Sequence, residues 1–366
     1  MSQQTTGKDF SQTDIFKLTF EVLIAFFGVV GNVVVILVVS RLGKRKQPGD
    51  FYLQNLAIAD LGILLLAFPA IVIKEQDAPS WPLGEFACHY IYPVPEMFFG
   101  ASVWLIAVIS VERYRKVVAA KPQTSRKHKV LLRRAKVFAT CVWGASFFVF
   151  SFPLYFIVAY EEERKCCKLV WPSWDDGMVL LRLYLVLLTL FSYILPLIVI
   201  SFTYLVITRT INQSTEILKA MRQEQTMEDN RGRISLAKVE SVRINHNRRA
   251  KKILTPLVLV FAATMLPLSI LRLTLVLWLE LSTQDYYGNL LYIISVFVIF
   301  NSSVNPVIYS VVSREFRKGM NNLCSRRFNK SSSYNLAEGV RSRRRSARRN
   351  TAAITCGCGN DNSTKQ

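Results

Sequence analysis

The sequence predicts an all-α protein: a bundle of seven membrane-spanning helices followed by a short amphipathic eighth helix. Of its 366 residues, 51% are hydrophobic, and these are grouped in long runs instead of recurring at the spacing of soluble amphipathic helices. Each run approaches or exceeds the roughly 20 residues that a helix needs to cross a bilayer. The predicted spans are Val22–Val39, Phe51–Ile73, Phe86–Val111, Val137–Ala159, Met178–Ile207, Ile253–Leu279 and Leu290–Val312.

Basic residues are concentrated in alternate connections between these spans. They follow the first and third spans, precede the sixth and crowd the end of the chain, whereas acidic residues gather in the opposite connections. The positive-inside rule then puts the amino terminus outside the cell and the carboxyl terminus inside. The net charge of +21 is therefore a signal of membrane topology and not of nucleic-acid binding. We expect a multi-pass plasma-membrane protein with an extracellular segment 1–19, a membrane domain 20–312, helix 313–324 and a disordered basic tail 325–366.

Polar residues interrupt the first two spans at few places. In the first span, Gly31-Asn32 is the only strong interruption. The second span carries Asp60, and a carboxylate inside a membrane usually marks an ion or proton site. The alternative is a structural carboxylic acid, held protonated by Asn32 and Asn305.

The third span has an oxidisable residue at its outer end and charges at its inner end. Cys88 and Arg113 lie 25 residues apart (113 − 88), which is roughly 37 Å of helix and slightly more than the bilayer's hydrocarbon thickness. Outside the cell Cys88 needs a disulfide partner, and the loop residues Cys166 and Cys167 both qualify.

The later spans are marked by prolines and by polar residues. Pro93 and Pro95 are expected to distort the outer turns of the third span, and prolines in the fourth, fifth and sixth spans to bend those helices. After the seventh span, an amphipathic stretch ends at Cys324, which predicts palmitoylation there.

An ordered set of motifs, at least one in every span, resembles the rhodopsin-like (class A) G-protein-coupled receptors. The set consists of Gly31-Asn32, Asn55-Leu-Ala-Ile-Ala-Asp60, Cys88, Glu112-Arg113-Tyr114, Trp143, Pro196 with Tyr204, Phe261 before Pro267, and Asn305-Pro306-Val-Ile-Tyr309. Trp171-Pro172 shortly after Cys167 is similar to neuropeptide receptors of the neuropeptide FF and orexin type. That likeness favours Cys167 as the partner of Cys88.

The resemblance implies a role for each of three groups of residues. No cofactor is implied, but a sodium ion acting as an allosteric modulator would bind Asp60, Ser102, Asn301 and Asn305. Activation and G-protein coupling would involve Glu112, Arg113, Tyr114, Tyr204, Asn305, Pro306 and Tyr309, with Arg113 paired to Glu112 in the inactive state. The ligand would contact Glu96, Phe99, Trp171, Met265, Arg272 and Ser295. The implied partners are an extracellular peptide, a heterotrimeric G protein, arrestin, receptor kinases and membrane lipid.

Two departures from the family pattern bear on activation. Met265 occupies the position of the usual sixth-span tryptophan. The activation step in which that tryptophan changes its rotamer therefore does not apply to this chain unchanged. Asn247 occupies the position, twenty residues before Pro267, where many members carry an acid that restrains the third-span arginine. A neutral amide cannot replace that carboxylate, and we therefore expect elevated ligand-independent signalling.

The ligand is expected to be a short, basic neuropeptide. Pro95 stands where amine receptors carry Asp, and residues 295–305 lack the lysine of opsins. Glu96 and Arg272 either pair with each other or offer both signs of charge to a peptide. The alternatives are a non-peptide small molecule or lipid as ligand and, more remotely, a transporter or channel. The pattern does not indicate an enzyme, since none of the three histidines lies near a candidate nucleophile.

Overall fold

A computed structural model of the chain describes residues 12–42, 47–76, 81–119, 125–172, 178–225, 231–312 and 316–321. Side chains are not described at several further positions, including 221–250. The predicted tail 325–366, Cys324 and the side chain of Asn247 therefore lie outside the described part of the protein.

Helices make up nearly all of the described chain. In chain order they are α1 (Gln12–Ser40), α2 (Pro48–Gly62), α3 (Phe68–Gln76), α4 (Gly84–Phe86), α5 (Val94–Ala119), α6 (Ser125–Ser146), α7 (Leu154–Ile157), α8 (Val179–Thr189), α9 (Leu195–Gln225), α10 (Arg231–Leu277) and α11 (Tyr287–Val312). Strands β1 (Val158–Glu161) and β2 (Cys166–Leu169) form an antiparallel hairpin, and a 3₁₀ turn occupies Leu279–Thr283.

Seven helical segments in the described residues are long and apolar enough to cross a membrane, which confirms the predicted number of spans. Large apolar side chains point outward along them: Phe27 is 67% exposed and Phe148 is 63% exposed. Polar residues lie inside instead, with Asp60 fully buried and Asn32 nearly so. This arrangement suits a protein whose outer surface contacts lipid.

Four π-helical turns occur in the described spans, and each ends two residues before a proline. The turns are Ile63–Ala67, Ala87–Ile91, Phe147–Ser151 and Leu190–Ile194, and the prolines are Pro69, Pro93, Pro153 and Pro196. In each case the residue before proline donates its N–H to the carbonyl five residues earlier, as Tyr92 does to Ala87 at 2.9 Å. Proline lacks an N–H and its ring crowds the carbonyl four residues earlier, so a regular α-helical hydrogen bond cannot form there. The wider π turn replaces it with a bond to the carbonyl five residues earlier. In contrast, Pro256, Pro267 and Pro306 lie inside continuous α-helix.

The hairpin is fastened over the outer end of the third span by a disulfide between Cys88 and Cys167. Trp81, only 2% exposed, packs against both cysteines and donates its backbone N–H to Lys165 at 2.5 Å. Its indole N–H donates to the carbonyl of Gly84 at 3.1 Å. Gly84 has a φ of 77°, a left-handed conformation that glycine adopts at little cost.

Of the predicted eighth helix, the structure describes residues 316–321, and their backbone is helical. The described helices up to Phe316 belong to one compact unit. The assignment of 313–324 as an amphipathic helix stays a prediction, because 313–315 and 322–324 are outside the described residues.

Trp81→Ala should destabilise the extracellular side of the protein. Removing a fully buried aromatic side chain typically costs about 3–5 kcal/mol, because the lost contacts are not replaced. We expect a lower unfolding temperature of the purified protein than for Trp278→Ala, whose tryptophan is 43% exposed. Equal effects of the two substitutions would show that Trp81 does not anchor the hairpin.

Candidate functional site

A buried polar centre joins three helices in the middle of the bundle. Asp60 of α2 is 0% exposed. Its Oδ1 accepts a hydrogen bond from the Ser102 hydroxyl of α5 at 2.7 Å, and its Oδ2 accepts one from the Asn305 amide of α11 at 2.9 Å. Both donors are neutral, so they satisfy the carboxylate's hydrogen bonding without neutralising a negative charge.

The structure brings together three of the four residues predicted to bind sodium. The fourth, Asn301, directs its amide to the hydroxyl of Thr264 on α10 at 2.6 Å. Asn32, which the alternative prediction placed on Asp60, donates to the carbonyls of Gly28 and Ser302 at 3.0 Å each. The carboxylate of Asp60 and the hydroxyl of Ser102 remain as adjacent oxygen ligands, and oxygen is the donor that a hard cation such as sodium prefers.

At the predicted cytoplasmic end of the third span, Glu112 pairs with Lys116 and not with Arg113 among the described side chains. The Lys116 ammonium lies 3.6 Å from the Glu112 carboxylate. Residues four apart on a helix share a face, so Lys116 competes with the adjacent Arg113 for the Glu112 carboxylate. Lys116 is not among the predicted activation residues, although a Glu four residues before a Lys is a recognisable signal. The pairing of Glu112 with Arg113 in the inactive state stays a prediction.

Aromatic side chains fill the space beside this pair. Tyr114 and Tyr204 pack against the buried residues Val117, Ile207 and Ile211. The ammonium of Lys251 on α10 lies 5.9 Å from the centre of the Tyr204 ring. Tyr309, also predicted to take part in activation, is 3% exposed. Among the described side chains, the inner ends of the third, fifth and sixth spans therefore meet through aromatic packing and a cation–π contact and not through an acid–base pair.

The outer half of the bundle holds a second polar site around Arg272. Its guanidinium donates to the Ser192 hydroxyl at 2.9 Å and lies 5.6 Å from the centre of the Phe99 ring. Glu96 is near enough to attract Arg272 electrostatically. Trp171 lies beside this group, with its ring 6.0 Å from that of Tyr184. Both signs of charge and several rings thus occupy one region.

The two remaining residues of the predicted ligand set lie elsewhere. Met265 is 3% exposed in the interior of α10, one residue after Thr264. Ser295 lies on the α1 side of α11, where its hydroxyl oxygen is 2.5 Å from a carboxylate oxygen of Glu21. The predicted first span began at Val22 and so left Glu21 outside it. That start was wrong, because α1 begins at or before Gln12 and buries Glu21 to 2% exposure.

Cys166, the other candidate for the disulfide, remains a free thiol beside the bridge. It donates to Glu161 at 3.4 Å, and Lys168 pairs with the same carboxylate at 2.9 Å. The hydrogen bond from Lys168 lowers the pKa of Glu161, and burial raises the pKa of the Cys166 thiol. Both shifts keep Glu161 ionised and Cys166 protonated at neutral pH. A protonated thiol is a poor nucleophile, so exchange with the neighbouring disulfide is disfavoured.

Seven spans around a buried carboxylate, with a disulfide-fastened hairpin at one end, are the architecture of a helical membrane protein. The profile of the 7 transmembrane receptor (rhodopsin family) matches residues 31–309, and the chain belongs to that family. Its members are receptors and not enzymes, and the protein is accordingly a multi-pass receptor of the plasma membrane.

The chain is similar to several characterised receptors. It is 28% identical to galanin receptor type 1 of Homo sapiens over 301 residues, covering 81% of this chain and 78% of the relative. It is 29% identical to neuromedin-U receptor 2 of Mus musculus over 324 residues, covering 83% and 73%. It is 28% identical to somatostatin receptor type 5 of Bos taurus over 311 residues, covering 83% and 75%.

Replacing Cys167 by Ser should reduce delivery of the receptor to the cell surface, whereas Cys166→Ser should not. Loss of the Cys88–Cys167 bridge, which spans 79 residues of sequence, frees the hairpin. In the chain-entropy account such a bridge stabilises by about 3–5 kcal/mol. Surface labelling of an epitope-tagged receptor measures the effect. Loss of surface signal only in Cys166→Ser would contradict the pairing.

Proposed function

We propose that this receptor binds a short, basic neuropeptide outside the cell and activates a heterotrimeric G protein inside it. The observation that carries the proposal is the outer site, where Arg272 and Glu96 supply both signs of charge beside Phe99, Trp171 and Tyr184. A peptide presents charged groups and apolar side chains together, so one such region can hold both. Galanin, neuromedin U and somatostatin, after which the similar receptors are named, are peptides, which supports this ligand class.

The orientation that we propose has the hairpin outside and the Glu112–Lys116 pair inside. The basic connections predict it, and the oxidised Cys88–Cys167 bridge supports it, because disulfides persist in extracellular surroundings. Arrestin and receptor kinases are proposed partners of the tail 325–366, and anionic lipid is proposed to contact its basic residues. Palmitoylation of Cys324 would attach the predicted eighth helix to the membrane.

The direct test screens a library of amidated peptides on cells that express the receptor, with dissociation of several G-protein classes as the readout. We expect at least one basic peptide to cause dissociation while membrane conductance stays constant. Arg272→Gln should weaken that response at least about tenfold, because glutamine lacks the positive charge of the buried guanidinium. A response confined to lipids or non-peptide molecules would replace the peptide proposal, and a ligand-gated conductance would favour a channel.

Sodium should lower ligand-independent signalling through Asp60. A cation that binds only the inactive arrangement shifts the population toward it, and the carboxylate with Ser102 Oγ supplies oxygen ligands for it. We expect basal G-protein activation to fall as sodium chloride replaces choline chloride at constant ionic strength. Asp60→Asn should abolish this dependence. An unchanged sodium response in that variant would remove Asp60 from the site.

Basal activity should be high in the unmodified receptor and lower in either of two variants. Lys116→Gln would return Glu112 to Arg113, and Asn247→Glu would supply the acid that the sixth span lacks. A partly exposed ion pair contributes about 0.2–1 kcal/mol, so each change should lower basal activation by up to about fivefold.

The matched control for Lys116→Gln is Lys219→Gln, which removes an exposed ion pair with Glu216 on α9. It should leave basal activation unchanged at equal surface density. Equal or higher activity in both Lys116→Gln and Asn247→Glu would show that other contacts hold the inactive state.

A further inference from the structure

Three charged residues are less than one tenth exposed among the described side chains: Glu21, Asp60 and Arg272. Two of them have several partners. Asp60 accepts hydrogen bonds from two helices. Arg272 has the Ser192 hydroxyl, the Phe99 ring and the attraction of Glu96. Glu21 differs, since its buried hydrogen bond is with the neutral hydroxyl of Ser295.

The Ser295 hydroxyl has a second acceptor within reach. Its oxygen lies 2.5 Å from Glu21 Oε1 and 2.8 Å from the backbone carbonyl oxygen of Tyr292. A serine hydroxyl carries a single proton, so it cannot fully satisfy both acceptors. If Ser295 donates to Tyr292, the Glu21 carboxylate is left needing a donor.

The nearest described cation, Lys17, is already engaged. It lies one turn outward on α1, where its ammonium donates to Asn289 at 2.8 Å and lies 5.2 Å from the centre of the Tyr292 ring. Its ammonium also attracts the Glu21 carboxylate four residues along α1, but the two form no ion pair among the described contacts. A buried carboxylate with so little opposite charge is costly unless a cation or proton accompanies it.

We propose that Glu21 and Ser295 form a subsite for a cationic group of the ligand, an ammonium or a guanidinium. The cation would bind the Glu21 carboxylate in place of the serine hydroxyl, while Ser295 keeps its bond to the Tyr292 carbonyl. No polar group of the protein is left unsatisfied by this exchange. The subsite rests on the proposed peptide-receptor function and deepens it: the basic group of the ligand binds between α1 and α11, across the bundle from Arg272 on α10.

The charges of the outer half agree with this assignment. Among the least exposed charged residues, Arg272 is attracted by Glu96, whereas Glu21 lies on a different helix from both. A cationic group of the ligand therefore complements the Glu21 carboxylate better than a neutral group does. The sequence analysis offered Glu96 and Arg272 together to a peptide and did not include Glu21.

Binding of N-acetyl-arginine amide to the purified full-length receptor tests the subsite. The matched probe, N-acetyl-citrulline amide, has nearly the same shape and no charge. We expect the arginine probe to bind and to raise the unfolding temperature, and the citrulline probe to do neither. Glu21→Gln, which keeps an oxygen acceptor for Ser295, should weaken the arginine probe at least about tenfold. The control Glu280→Gln makes the same change at an exposed outer acid and should leave binding unchanged.

Unchanged affinity in Glu21→Gln, or no binding of the arginine probe to the unmodified receptor, would overturn the subsite. If Glu21→Gln does not fold, Glu21→Asp retains the charge on a shorter side chain and should bind the probe more weakly than the unmodified receptor. Equal affinity in that variant would also count against the subsite. Failure of the peptide proposal has a different result. No peptide would then cause G-protein dissociation, while the arginine probe would still bind through Glu21.

Discussion

The structure depends on one constraint: a polar group inside the hydrocarbon region has no water to bond, so it must find its partner within the protein. Asp60 meets this constraint by drawing hydrogen bonds from α5 and α11, and those bonds fix the second, third and seventh spans relative to one another. The π-helical turns meet the same constraint for the backbone. Beside each of four prolines, the helix widens into a π turn. This turn supplies a hydrogen bond to a carbonyl that would lack one in a regular helix.

The two ends of the bundle are held together differently, and this difference suits signalling. At the outer end a covalent bridge and the buried ring of Trp81 hold the hairpin against the third span. At the inner end the described contacts between spans are weaker and reversible: apolar packing around Tyr204 and a lysine above its ring. A rigid outer frame can hold a ligand in a defined place, while contacts of a few tenths to about one kcal/mol allow the inner ends to separate.

The charges buried in the outer half connect ligand choice to this frame. Arg272 lies on α10, and Glu21 lies on α1, which packs against α11. A ligand that contacts both would therefore span the bundle. Because α10 is also the helix whose inner end contacts Tyr204, a change at Arg272 can reach the cytoplasmic side through one continuous helix. The interior of that helix carries Pro256 and Pro267, where bending is least costly.

The sequence by itself determined the seven spans, their order and the positions of Asp60, Asn305 and Arg113, because apolar runs of membrane length and an ordered motif set are local properties of the chain. It could not decide which groups meet. Composition left Cys166 and Cys167 equivalent; the family resemblance favoured Cys167, and the bridge from β2 to Cys88 confirms it. Glu112 pairs with Lys116 on its own helix face, and Asn301 donates to Thr264. Glu21 lies inside the bundle because α1 extends outward beyond Val22. These choices belong to the tertiary structure, since they depend on helix rotation and on distances between spans far apart in sequence.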